Sequence, residues 1–129
     1  MRPRDVRVFL MDAATAAQRV VDIRERTSVD QLKNDLIVRA AIERHLITIG
    51  EALQRARALL PDAEIGVSHI DAIIGLRNRL VHGYFAIEWT RIVAILDADL
   101  DRLFEELQAA LAARHPGDED DSPEATGVE

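Results

Sequence analysis

The chain contains no cysteine, which excludes disulfides, thiolate nucleophiles and cysteine-ligated metal sites. Aromatic side chains supply only 4 % of its 129 residues, against 48 % apolar residues in all. A core must therefore be assembled from Leu, Ile, Val and Ala, a composition that suits packed helices. Lysine is nearly absent: fifteen of the sixteen basic residues are arginine. Arginine favours planar, bidentate phosphate contacts over a point charge, although genome composition produces the same bias. No segment sustains strand alternation, no internal repeat occurs, and no run of 18 apolar residues is present. The charged start, Met1 to Arg7, has no signal-peptide apolar region. These absences predict a soluble, cytoplasmic chain with no membrane segment.

The formal net charge is −7, but it is unevenly placed. Beyond Pro116 the stretch PGDEDDSPEATGVE holds six acidic residues and no basic one. Residues 1–115 carry 17 acidic against 16 basic side chains, a net of −1. The expected organisation is one domain over residues 1–115, followed by an acidic, disordered tail over 116–129.

Four helices are expected. Pro3 suits the first helical position of a helix running to about Arg24, with Val6, Phe9/Leu10, Ala13, Ala17 and Val20 as its buried stripe. Ser28-Val-Asp-Gln31 reads as a capping box. It opens a second helix through Leu32, Leu36, Ala40, Leu46, Ile49 and Leu53 to Leu60. That helix would be about 32 residues long, with a kink near Gly50. Residues 61–67 form a loop. Ser68 caps a third helix, Asp71 sits in its first turn, and Gly83 ends it. A fourth starts near Glu88 and carries Trp89, Ile92, Leu96, Leu100, Leu103, Leu107 and Ala110/Leu111 at heptad-like spacing. The expected fold class is all-α, an antiparallel four-helix bundle.

The third helix holds the residues with chemistry. In Gly75-Leu-Arg-Asn-Arg-Leu-Val-His-Gly-Tyr-Phe85, Arg77, Asn78, His82 and Tyr84 interrupt an apolar pattern. A fixed cation and an imidazole titrating near neutral pH are what phosphodiester cleavage needs when no metal takes part. Arg77 and His82 lie five apart, so on a straight helix their directions differ by roughly 140°. A two-fold homodimer that apposes two such helices would bring both groups to a shared cleft, with Ile70, Ile74 and Val81 as an apolar seam. The plainer reading makes Arg77 and Arg79 salt-bridging residues and His82 a cation at a helix C-terminus. Glu43 and Glu51, eight apart on the second helix, are each able to pair with Arg77; Arg39, Arg44 and Arg55 are the nearer partners for Glu43. His45, His69 and His115 show no metal-ligand spacing, and no metal or cofactor is expected.

Arg77-Asn78-x3-His82-x-Tyr84 resembles the HEPN superfamily and, more narrowly, the HepT-like toxins, whose signature is R-x4-H-x-Y. Arg4-Asp5, Ile49-Gly-Glu-Ala52, the block from Arg77 to Phe85 and the apolar fourth helix share the likeness, which spans roughly residues 4–107. One departure is Ile65-Gly-Val67, where relatives often have Ile-Pro-Trp. The resemblance implies a metal-independent RNA endonuclease acting on tRNA or mRNA, with Arg77 and His82 catalytic and Asn78 assisting. It also implies a partner, a minimal nucleotidyltransferase (MNT) antitoxin that transfers AMP to Tyr84 and so silences the toxin. Tyr84 as an aromatic anchor at a helix end is the plainer alternative. A second functional class is a non-catalytic subunit that binds nucleotide or substrate for a nucleotidyltransferase. A third is a structural helical dimer without chemistry.

Overall fold

The computed structural model describes residues 4–83 and 85–114. Among these residues there are seven helices and no strand: α1 (Arg4–Arg26), α2 (Val29–Asn34), α3 (Leu36–Arg57), α4 (Asp62–Ile65), α5 (Ile70–Val81), α6 (Phe85–Ala98) and α7 (Leu100–Ala112). The all-α expectation holds. Pro3 and the acidic tail lie outside the described residues.

α1 forms as its spacing predicts. Val6, Leu10, Ala13, Ala17 and Val20 are fully buried, and Phe9 is partly so. This stripe packs on α3 and α7, while α3 also packs on α5. Two arginines on α1 fasten it to the far helices. Arg7 donates Nη1 to the carbonyls of Leu111 (3.0 Å) and Arg114 (2.5 Å), at and just beyond the end of α7. Arg24 donates Nη1 to Leu96 O at 2.8 Å and pairs Nη2 with Asp101 at 2.7 Å, spanning the α6–α7 junction. Between these anchors the core is aliphatic: Leu10, Ile42, Ile49, Leu53, Leu80, Ile92 and Leu107 are all under 2 % exposed. Burying each such side chain contributes about 1.5–3 kcal/mol relative to leaving it in water.

The second helix differs from expectation. The capping box is present: Gln31 N–H donates to Ser28 Oγ (3.1 Å) and Ser28 N–H to Gln31 Oε1 (2.9 Å). The helix it opens ends after one and a half turns. Asp35 adopts extended backbone (φ −87, ψ 114), and its Oδ1 accepts from the Ile37 and Val38 amides, so it caps a new helix instead of continuing the old one. Leu36, expected in the buried stripe, is 75 % exposed, and Ala40 is exposed too. α3 stops at Arg57, and no break occurs at Gly50, which lies buried inside it.

The connection to α5 contains the one-turn α4, closed by Gly66 at φ 86. Ser68 does not cap α5. His69 holds the N-cap position in left-handed backbone (φ 61) with no side-chain cap, while Ser68 donates its amide and hydroxyl to Glu106 of α7. Asp71 is in the first turn of α5 as expected and pairs with Arg57 at 2.8 Å. Arg57 also binds Asp62, and that partner holds the Asp62 carboxyl below the usual carboxylate range. The end of α3, α4 and the start of α5 are thus joined through one guanidinium. The expected fourth helix begins earlier, at Phe85, and is interrupted at Asp99, giving α6 and α7. Aspartate is a weak helix former. Trp89 is buried at 6 %, with the Arg39 guanidinium carbon 5.2 Å from its ring centroid.

Candidate active site on α5

α5 runs back along α3, with Asp71 level with Arg57 and Arg77 level with Gly50. Three of its apolar residues, Ile70, Ile74 and Leu80, lie in the chain's own core at 2 %, 9 % and 1 % exposure. The dimer seam expected from Ile70, Ile74 and Val81 is therefore corrected. Only Val81 faces outward, at 51 %.

Arg77 emerges on the side facing α3, and its side chain remains 25 % exposed. Its stem crosses Gly50, where an added methyl group would collide with Cβ and Cγ of Arg77 and approach the Ile73 carbonyl. The glycine read as a kink provides a clearance. At the tip, Nη2 donates to Glu51 Oε2 at 3.2 Å and Nη1 donates to Asn78 Oδ1 at 2.8 Å. Nε is buried without a hydrogen-bond partner among the described residues. The sequence left the partner of Arg77 open between Glu43 and Glu51. The structure pairs it with Glu51, and Glu43 takes Arg39 at 3.1 Å. The available signal was the small residue before Glu51, which places a gap in α3 beside the arginine.

His82 is the C-cap of α5 (φ −85, ψ 0), and its amide donates to the Asn78 carbonyl at 3.1 Å. Its side chain is exposed. Gly83, at φ 84, takes the left-handed conformation that terminates the helix, as its identity predicts. His82 keeps the helical bond to Asn78, and its ψ of 0 turns only the chain that follows, so Arg77 and His82 leave the helix in different directions. Asn78 thus touches the Arg77 side chain and the His82 backbone, while no described hydrogen bond joins Arg77 to the His82 ring. Tyr84 lies outside the described residues. An apolar cavity of about 320 Å³ opens between α3, α5 and the α6–α7 junction, walled by Leu46, Ile49, Ile73, Leu76 and Leu103. Arg77 and His82 are not among its walls.

The family model described as "Ribonuclease HepT-like" matches residues 13–110, a span that contains this site. The chain belongs to the HepT-like ribonuclease family. Two proteins of Methanocaldococcus jannaschii are similar to this HepT-like chain. "Putative RNase MJ1380" is 29 % identical over 110 residues, covering 84 % of this chain and 98 % of that protein. "Putative RNase MJ0125" is 24 % identical over 94 residues, covering 71 % and 78 % respectively. No solved structure matches significantly. Among the described residues of this HepT-like chain, no helix is long and apolar enough to cross a membrane.

Proposed function

We propose that this chain is a metal-independent RNA endonuclease, the toxin of a HEPN/MNT toxin–antitoxin pair, acting on tRNA or mRNA in the cytoplasm. The observation that carries the reading is the α5 terminus of a HepT-like ribonuclease family member: a guanidinium held by two side chains, then an exposed histidine where the helix stops. In the reaction, the ribose 2′-oxygen attacks the adjacent phosphorus and the 5′-oxygen departs. The products are a 2′,3′-cyclic phosphate and a 5′-hydroxyl. His82 accepts the 2′-hydroxyl proton or delivers one to the leaving oxygen, and Arg77 stabilises charge on the phosphoryl oxygens. One histidine cannot perform both transfers in a single cleavage. A second protomer of a homodimer supplies the other group.

The fold that goes with this reading is an antiparallel four-helix bundle of α1, α3, α5 and the α6–α7 pair, within a domain ending near residue 115. Residues 116–129 form an acidic appendage. Control belongs to an MNT partner that transfers AMP to the Tyr84 hydroxyl, setting bulk and negative charge beside the phosphate-binding cation. Cleavage of RNA by the purified chain, lost in His82→Ala, is the test. The near-neutral body and acidic tail favour a second reading, a non-catalytic subunit that binds nucleotide or substrate for the nucleotidyltransferase. Under that reading Arg77→Ala weakens binding of the ligand and His82→Ala changes nothing.

A further inference from the structure

We infer that Gly50 and Glu51 of α3 are positioning residues for Arg77, a seat that fixes the guanidinium for a phosphate before RNA arrives. The assignment rests on the ribonuclease reading for its purpose, but not for its geometry. A free arginine side chain is flexible and must be ordered when it binds, which subtracts from the interaction. Here the ordering is done in advance by two neighbouring residues of another helix. Gly50 acts on the stem. Any side chain there would meet Cβ and Cγ of Arg77, the root of the side chain, which cannot swing aside unless α5 moves away from α3.

Glu51 acts on the tip. A guanidinium has five N–H donors. Glu51 takes one on Nη2, Asn78 takes one on Nη1, and Nε is turned into the protein. One N–H on each terminal nitrogen is left over for phosphodiester oxygens. The bond to Glu51 is a single contact of 3.2 Å to a carboxylate whose side chain is 45 % exposed. Such a contact directs the cation without neutralising it, because water screens a half-exposed pair.

The experiment uses the full chain and two readouts. Steady-state cleavage of an RNA oligonucleotide is measured for wild type, Glu51→Gln and Glu51→Ala. Rotation of the Arg77 guanidinium is followed by NMR of its N–H groups without RNA. Glu51→Ala should lower kcat about ten-fold with KM little changed, the scale expected for losing a hydrogen bond to a charged group. Glu51→Gln, which keeps an oxygen acceptor, should restore most of the rate. The Arg77 N–H groups should rotate slowly in wild type and Glu51→Gln, and freely in Glu51→Ala. Equal rotation in all three proteins overturns the seat. So does a Glu51→Ala protein that cuts as fast as wild type or faster, since the carboxylate would then be inert or masking the arginine. Should Arg77 be ordered by Glu51 in a chain that cuts no RNA, the seat stands and the ribonuclease reading falls. Gly50→Ala disturbs α3–α5 packing as well, so the Glu51 variants decide the matter.

Discussion

A cation serves a phosphate best where its side chain is already still and part of its hydrogen bonding is left unspent. Arg77 is held at its tip by Glu51 and Asn78, and His82 stands exposed at the end of the same helix. Arg77→Ala and His82→Ala should each abolish detectable RNA cleavage and growth inhibition. General acid–base groups contribute about 10²–10⁴-fold, and neither side chain is part of the core, so circular dichroism should be unchanged. A fully toxic His82→Ala chain sinks the mechanism. His45 on α3 obeys a different rule. Burial, then the charges of Arg19 and Arg44, push its imidazole below the ordinary histidine value. The unfolded chain therefore binds the proton first as pH drops, so stability should decline from about pH 6.5 down to the depressed pKa and level off below it. His45→Gln should flatten that slope in melting temperatures recorded from neutral to mildly acidic pH. At this scale the sequence displayed Arg77, Asn78 and His82 through residue type alone. It did not display which carboxylate faces Arg77, because positions 43 and 51 are both within reach until the helix pairing is known.

Helix starts were legible where a local hydrogen bond decides them and obscure where periodicity had to. Ser28 and Gln31 announce their box within four residues, and Gly83 announces its stop by needing no Cβ. Asp35 hides because Leu32, Leu36 and Leu46 continue an apolar rhythm across it, yet Leu36 and Ile37 end up 75 % and 82 % exposed. The side chain of Asp35 won against that rhythm by accepting two amides at the start of α3. Replacing it, Asp35→Ala, should cost about 1 kcal/mol, visible as a lower midpoint in urea with an unchanged slope. No loss would mean that packing alone sets the start of α3. Ser68 misled for the opposite reason: a good cap residue was taken by Glu106, a partner 38 positions away that no local pattern reveals.

For the molecule as a whole, composition was the surest guide, since few aromatics and no strand rhythm left only helices. The mutual placement of those helices was less visible. Ile70 and Ile74 look available for a partner in sequence, and the chain uses them itself. Dimerisation with the two α5 termini apposed remains the expected solution state, and a monomer in light scattering at micromolar concentration would count against it. Deleting residues 117–129 should leave the melting temperature unchanged, because six acids without an apolar period bury little surface. A large drop would show that the tail docks. Co-expression with an MNT enzyme should add an adenylyl mass to the wild-type chain and none to Tyr84→Phe, which should stay toxic.

The clearance at Gly50 also has a consequence for descent. A methyl group at that position and a Cβ at position 77 cannot share the same space. Every residue but glycine carries that Cβ, so a relative that loses the arginine still needs the glycine while its two helices stay this close. Alanine is the better helix former, yet it can settle at position 50 only in a lineage whose helices have parted. The spacing of α3 and α5 is thus what descent should preserve through this glycine.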